Sequence, residues 1–424
     1  MNENFLSHSR EHTLDEWLSY LETLHTSEID LGLTRIGEVA QRLAIDFSWA
    51  QVITVAGTNG KGSTCAFIEQ ALLSKDKTVA VYSSPHIERF NERLRINRVD
   101  VVDQAVVSAF KKIEQFRQEI SLTYYEYTTL AAFLVLMDER PEYIILEVGL
   151  GGRLDATNLI DADIGVITTV DLDHQAFLGN DRETIAREKA GILRKNQRAV
   201  LGEVAPAKSL VAHAKALGSI VFQREQDFFV YLNDDKTWSW QTSGQCFKQL
   251  PLPHIPLDNA ATAIRVVTLL LPEFCQQDLI SVINKTKVAG RTEHFKTVCD
   301  VILDVGHNPL AARYLSQYIQ NYLQENPKAK ILAVAAMLAD KDISGTLGAL
   351  INEVDCWYMA SLSVPRGAVA QTLAESLPFT PHTVNCFDKV EDAYKMALSH
   401  AKSTDLILVF GSFYTVASVR KLLV

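Results

Sequence analysis

Paired cysteines are missing from this chain. Its six cysteines, Cys65, Cys246, Cys275, Cys299, Cys356 and Cys386, are scattered, and none forms a C-x-x-C pair. That spacing suits buried thiols in a reducing cytoplasm better than disulfides or a zinc knuckle. No stretch is apolar over a length that could span a bilayer, and the opening MNENFLSHSREHTLDEW has no signal-peptide core. A basic excess is missing as well. The 41 Lys and Arg against 51 Asp and Glu give a net charge of −10, the wrong sign for a nucleic-acid scaffold, although local basic pockets remain open. There is no G-x-S-x-G element and no Cys–His signature, so covalent nucleophilic catalysis has no candidate. The expectation is a globular cytoplasmic protein that binds neither nucleic acid nor membrane. At 424 residues it is long enough for two or three domains.

What is present is an alternation of short β-branched runs with helical stretches. Strands are expected at 52–58, 78–83, 143–148 and 164–170, with a helix over 62–75 and others between. Continuous apolar runs separated by helices indicate a parallel sheet covered on both faces. At Phe228–Gln249 the aromatic runs flanking Asn233-Asp234-Asp235 suggest a small antiparallel hairpin. A second αβ series has strands expected at 298–305, 330–336, 356–360 and 405–410, which puts a domain boundary near residue 288. The fold class is α/β: a P-loop-type doubly wound domain with a hairpin insertion over 1–288, then a smaller Rossmann-like α/β domain over 289–424.

The first strand runs into Ala56-Gly57-Thr58-Asn59-Gly60-Lys61-Gly62-Ser63 and then a helix. Glycines let backbone N–H groups crowd an anion, and a helix N-terminus adds unpaired donors and its positive dipole end. The usual phosphate loop spells G-x-x-x-x-G-K-[ST]. Here Val55 takes the first glycine's place and Gly62 the hydroxyl's, so the loop is not the ordinary one. Two other spellings mislead. Gly149-Leu150-Gly151-Gly152 fails as a dinucleotide fingerprint because Leu154 stands in the last glycine's place. His8-Ser9-Arg10-Glu11-His12 spells a zinc-peptidase pattern but lies in a polar segment before the Thr13–Glu16 capping box.

The GTNGKGS loop resembles that of the Mur-ligase superfamily, and more narrowly the folylpolyglutamate synthase/dihydrofolate synthase family. Further blocks follow in order: SSPH (Ser83–His86), SLTYYEY (Ser121–Tyr127), EVGLGGRLDATN (Glu147–Asn158), DLDH (Asp171–His174), REKAGI (Arg187–Ile192), DNAATA (Asp258–Ala263), Gly290-Arg291 and DVGHNP (Asp304–Pro309). The SLTYYEY block is similar to that of bacterial bifunctional members. Gly306 departs from the family's usual alanine.

The resemblance implies ATP contacts at Gly57, Thr58, Asn59, Gly60, Lys61, Gly62, Ser63, Asn259, Arg291 and Asp304. It implies magnesium ligands at Ser84, Glu147 and His174, each read as closing a strand, and a second magnesium helped by Lys189 as N6-carboxylysine. Potassium is a further candidate ion. Dihydropteroate contacts fall on Ile29, Asp30, Leu31, Thr123, Tyr124, Tyr125, Glu126, Leu154, Asp155 and Ala156, with tyrosines to stack on a flat heterocycle and Asp155 to bond its polar edge. Lys61, Lys189 and His307 are the catalytic candidates. Residue by residue, plainer readings stay open. Ser84 could be a turn hydroxyl, Glu147 a solvated strand end, Lys189 a solvated charge, Asn259 a helix cap, Arg291 a linker charge and His307 a capping histidine. The tyrosines could simply pack a helix start.

The implied reaction is ATP-dependent ligation of L-glutamate to 7,8-dihydropteroate, giving dihydrofolate, and to tetrahydrofolate, giving folylpolyglutamates, through an acyl phosphate. The partners are then small molecules, ATP, L-glutamate, dihydropteroate and reduced folates, and the chain a monomer. The rivals are folylpolyglutamate synthase activity alone, a cell-wall Mur ligase, a P-loop kinase or NTPase that forms no amide, and a binding protein without catalysis.

Overall fold

The computed structural model describes residues 12–27, 29–378 and 383–424. The chain divides into two compact bodies, Met1–Leu172 with Leu178–Thr286, and Asp173–Phe177 with Lys287–Val424. Of the zinc-peptidase spelling His8–His12, residues 8–11 lie outside the described residues. The capping box that follows it is present: Thr13 Oγ1 accepts from Glu16 N and Glu16 Oε2 from Thr13 N.

The first body is built on an eight-stranded sheet. Its strands are β1 (Gln51–Ala56), β2 (Val79–Tyr82), β3 (Leu94–Ile96), β4 (Val99–Asp100), β5 (Tyr143–Glu147), β6 (Ile164–Ile167), β7 (Arg198–Leu201) and β8 (Ile220–Gln223). They lie in the order β4-β3-β2-β5-β1-β6-β7-β8. The six strands from β2 to β8 in that order run parallel, and β3 and β4 form an antiparallel edge. Parallel strands need both faces covered, which is why β1, β5 and β6 read as unbroken apolar runs. One face packs a core around Trp17, Phe110, Tyr127 and Phe133, and another apolar cluster gathers Ile185, Leu193 and Leu210.

The helix Lys61–Leu73 that follows β1 buries every residue from Ser63 to Leu72. Such a helix has no polar stripe to show, because it is enclosed on all sides. Enclosure also holds Glu69, 1% exposed, which accepts from Arg95 Nε at 2.9 and 3.0 Å.

The expected hairpin is a three-stranded antiparallel sheet, β9 (Phe229–Leu232), β10 (Trp238–Gln241) and β11 (Cys246–Leu250). The third strand has no sequence signal because CFKQL carries no β-branched residue. The Trp-Ser-Trp alternation on β10 drives the sheet's burial. Both indoles are fully enclosed and donate to Pro251 O at 2.8 Å and Ala261 O at 3.1 Å.

The second body carries β12 (Glu293–Lys296), β13 (Asp300–Asp304), β14 (Ile331–Ala335), β15 (Cys356–Ala360), β16 (Thr383–Phe387) and β17 (Leu406–Phe410), ordered β12-β13-β17-β14-β15-β16. β12 runs antiparallel to β13 and the rest are parallel. Besides β3, β4, β7 and β8 of the first body, the sequence expectation lacked β12 and β16, the edges of this second sheet. Their mixed polarity gives neither a buried run nor a clean alternation.

Candidate active site

The loop at the end of β1 is held from one side by the segment that follows β6. Thr58 N donates to Thr169 O at 2.7 Å, and Asn59 N to Thr169 Oγ1 at 3.1 Å. Thr168 Oγ1 donates to Asn59 O at 2.6 Å, and Thr58 Oγ1 to Asp171 O at 3.0 Å. Two amides that the sequence offers to a phosphate, those of Thr58 and Asn59, are therefore engaged in bracing the loop. The amides at the start of the helix, from Lys61 to Ser63, lack intrahelical partners by position.

Gly60 needs to be glycine. Its φ is +85°, and a Cβ would stand 2.8 Å from Asn259 Cγ and closer to its Oδ1. Asn259, 6% exposed, thus packs on the loop rather than only beginning its own helix, Leu257–Leu270. Lys61 Nζ turns back on the loop and donates to Gly57 O at 3.1 Å and Thr58 O at 3.3 Å.

Glu147 ends β5, the neighbour of β1, and is 6% exposed. Its Oε2 lies 3.5 Å from where a Gly62 Cβ would be, so the carboxylate faces the helix start and is not a solvated strand end. Ser84 follows β2 on the other side of β5, and the Tyr125 phenol donates to Asp155 Oδ1 at 3.4 Å. The expectation that His174 closes a strand is corrected. β6 stops at Ile167 because Thr168 and Thr169 turn to brace the loop, and His174, at φ +49°, lies on the segment Asp173–Phe177 grouped with the second body. Among the described residues no group of three or more His, Cys, Asp or Glu is arranged to hold a metal ion. The Glu147 carboxylate, which faces the helix start that also carries Ser63, is nevertheless a hard oxygen donor of the kind magnesium takes.

The glycine-rich block after β5 is locked onto the REKAGI helix. A Cβ on Gly152 would stand 2.8 Å from Glu188 O and 2.9 Å from Lys189 O. Arg153 N donates to Glu188 O at 2.8 Å, and Asn158 Nδ2 to Arg153 O and Gly191 O at 2.9 and 3.0 Å. This packing buries Lys189 to 3% exposure, which overturns its reading as a solvated charge. A buried ammonium is costly unless paired or chemically neutralised.

The SLTYYEY block begins the helix Tyr124–Glu139. Thr123 caps it, with Thr123 Oγ1 accepting from Glu126 N at 3.2 Å and Glu126 Oε2 from Thr123 N at 2.8 Å. Glu126 also takes Arg35 at 3.2 Å, and Arg35 holds Asp30 at 2.6 Å. Thr123, Glu126 and Asp30 therefore tie the 29–35 segment to the helix start, with Ile29 and Leu31 partly buried beside Asp30. Tyr124 lies under the Arg93 guanidinium, 5.6 Å from the ring centroid. Tyr125 packs against Tyr82 at 6.4 Å. Burial, then the Asp155 carboxylate, raises its phenol well above the ordinary range.

Asp155 lies between the partly buried Leu154 and the buried Ala156. Its Oδ2 accepts from Leu150 N at 2.8 Å, and Oδ1 from Thr157 N and Oγ1 at 3.0 and 2.7 Å. Burial raises its carboxyl against those donors.

In the second body Asp304 ends β13 with both oxygens occupied, Oδ2 by Thr292 N at 2.8 Å and Oδ1 by Gly306 N at 2.7 Å. Arg291 lies 5.2 Å from the Phe413 ring centroid. Asp173 gathers Lys341 Nζ at 2.9 Å, Asn308 Nδ2 at 3.2 Å and His307 Nε2 at 3.7 Å. Burial opposes its ionisation, but these cationic and donor groups outweigh it and hold the carboxyl far below its usual value. His307 Nδ1 bonds Val305 O at 2.9 Å, while Asn308, not His307, caps the helix Pro309–Glu325.

Sequence reasoning missed Thr168, Thr169, Lys341 and Phe413. The Thr-Thr pair closing an apolar run was the one available local signal, since such hydroxyls bond backbone at strand ends.

Comparison with known proteins bears on these residues together. The Mur ligase middle domain matches residues 55–226, and the Mur ligase glutamate ligase domain matches residues 290–413. The Escherichia coli dihydrofolate synthase/folylpolyglutamate synthase is 43% identical over 97% of this chain and 95% of its own. The structure of E. coli FolC in complex with DHPP and ADP is similar with a TM-score of 0.92 at 42% identity, covering 97% of each chain. A Yersinia pestis bifunctional folylpolyglutamate synthase/dihydrofolate synthase complexed with AMPPNP and Mn ion has a TM-score of 0.90 at 42% identity, over 97% of this chain and 98% of that one. With loop, strand-end carboxylate and buried lysine in one body and the Asp304–His307 turn in the other, the chain belongs to the dihydrofolate synthase/folylpolyglutamate synthase family of Mur ligases.

Proposed function

We propose that this protein is an ATP-dependent ligase that adds L-glutamate to 7,8-dihydropteroate and to tetrahydrofolate. The reading rests on one observation: a likeness of 43% identity running nearly end to end to a relative of that name. The GTNGKGS loop, Glu147 and the SLTYYEY block supply chemistry that fits it. Lys61 and the helix-start amides bind the terminal phosphate and orient it toward the pterin substrate's carboxylate. The acyl phosphate so formed is attacked at its carbonyl carbon by the glutamate amine, with loss of phosphate. The protein contributes position and charge rather than a covalent nucleophile.

Ser84, Glu147 and His174 are the proposed ligands of magnesium, which when bound supplies neutralisation of phosphate charge. Burial of Lys189 supports its proposed carbamylation, which replaces a cation by a carboxylate suited to a second metal ion. Asn259, Arg291 and Asp304 are proposed to serve the nucleotide, and Tyr124, Tyr125 and Asp155 the pterin. His307 is proposed to serve phosphate or the incoming amine. We infer further that the protein acts as a cytoplasmic monomer on small molecules.

The test is ADP release by the purified protein with dihydropteroate, tetrahydrofolate or a UDP-sugar peptide, each with and without L-glutamate. Glutamate-dependent release with the two pterins is expected. Release independent of glutamate, or stimulated only by the sugar nucleotide, would overturn the reading.

A further inference from the structure

Arg291 is presented by a turn that the backbone does not adopt freely. Gly290 has φ +63° and Thr292 φ +43°, the latter a β-branched residue in the left-handed region. Such a conformation persists only where surrounding contacts over-determine it. Three hydrogen bonds pin the turn: Thr292 N to Asp304 Oδ2 at 2.8 Å, Gly290 N to Glu293 Oε2 at 2.8 Å, and Val305 N to Gly290 O at 2.8 Å. Beyond these, one short helix, Phe413–Arg420, touches the turn from both of its ends. At its start the Phe413 ring lies under the Arg291 guanidinium at 5.2 Å. At its end Arg420 Nε bonds both oxygens of Glu293 at 3.2 Å, the same carboxylate that holds Gly290.

The helix is itself fixed. Ser412, 3% exposed, caps it by accepting from Thr415 N at 3.0 Å, and Thr415 Oγ1 donates to Ala336 O at 2.7 Å. A guanidinium over an aromatic face is held both in place and in plane. The family domain match ends at residue 413, so the rest of this helix lies beyond it.

We propose that the helix Phe413–Arg420 is the positioning element for Arg291: Phe413 sets the guanidinium, and the Glu293–Arg420 pair holds the turn that carries it. Asp304 joins this assembly as the anchor of Thr292, since both its oxygens are engaged with backbone amides. The inference rests on the nucleotide role given to Arg291 above. Neither Phe413, Glu293 nor Arg420 is asked to touch the nucleotide.

The experiment is a double-mutant cycle read by calorimetric binding of AMPPNP with Mn²⁺, which needs neither folate nor glutamate. Phe413→Leu, which keeps apolar bulk but removes the π face, should weaken binding by about two- to fivefold. Phe413→Tyr should bind like wild type. In an Arg291→Ala background, Phe413→Leu should have no further effect. Glu293→Gln should weaken binding similarly, and it provides a second reading should Phe413→Leu fold poorly. Unchanged binding in folded Phe413→Leu, or an equal loss with and without Arg291, would overturn the proposal. Wild-type protein that binds AMPPNP normally but shows no glutamate-dependent ADP release would sink the ligase reading alone. Absence of AMPPNP binding by wild type would overturn both.

Discussion

Two glycines two positions apart should respond in opposite ways to alanine, and the contrast tests the geometry of the loop. At Gly60 the backbone is left-handed, φ +85°, and a Cβ would overlap the Asn259 side chain. Holding an alanine there costs about 1–3 kcal/mol in backbone conformation alone. Asn259 is 6% exposed and would have to move as well. A shift of ~2 kcal/mol away from the binding-competent loop lowers nucleotide affinity about 30-fold.

At Gly62 no positive φ is required, and the nearest atom to an added Cβ is Glu147 Oε2 at an ordinary 3.5 Å. Gly62 lies within the helix Lys61–Leu73, where alanine is favoured over glycine by up to about 1 kcal/mol. Gly62→Ala should therefore fold with equal or greater stability. Urea unfolding of both variants, with AMPPNP titration of Gly60→Ala, decides the matter. Nucleotide affinity of Gly60→Ala within twofold of wild type would refute the reasoning, as would equal destabilisation by the two substitutions.

Lys61→Ala should lower glutamate addition to dihydropteroate and to tetrahydrofolate together, by roughly 100-fold or more, because one ammonium serves one phosphate site. Survival of either activity in the ADP-release assay would mean two sites. Thr123→Ala removes the cap of the helix Tyr124–Glu139 and should cost about 1 kcal/mol in urea unfolding, with a rise in the KM for dihydropteroate larger than that for ATP. Equal effects on both substrates would separate the cap from the pterin region. Protein equilibrated with ¹³C-labelled CO₂ should show a carbamate carbon by NMR that Lys189→Ala abolishes, and a spectrum without it leaves Lys189 a buried amine.

Asp278 tests a surface-lying contact by pH. Burial opposes its ionisation, but Lys75 at 2.6 Å outweighs this and lowers the carboxyl to about 2. A depressed carboxyl contributes stability above its unfolded pKa, about 3.9, and loses it as pH falls toward 2. Lys75→Met should flatten the melting temperature between pH 4 and pH 2. An unchanged slope would show that the pair is inert.

The Thr13–Glu16 capping box and the strand–loop–helix at Gly57–Ser63 were legible in the sequence because their determinants are contiguous. A cap, a glycine-rich turn and an apolar run each act over a few residues. The edge strands β12 and β16 and the third strand of the small sheet were not legible, because an edge strand is defined by its neighbour and not by its own pattern. The same distinction divides the site residues. The family resemblance marks Glu126 and Asp30 as dihydropteroate contacts, and only the fold shows their carboxylates joined through Arg35 at a helix start.

The sequence by itself determined where an anion could be bound, the two αβ series, and the blocks that mark the family. Each depends on residue type and short spacing. Only the tertiary structure decided that Lys189 is buried, that the Thr58 and Asn59 amides brace the loop, that His174 does not close a strand, and that Arg291 rests on Phe413. Burial and hydrogen-bond partners are set by residues distant in the chain, and no local pattern encodes which of them will meet.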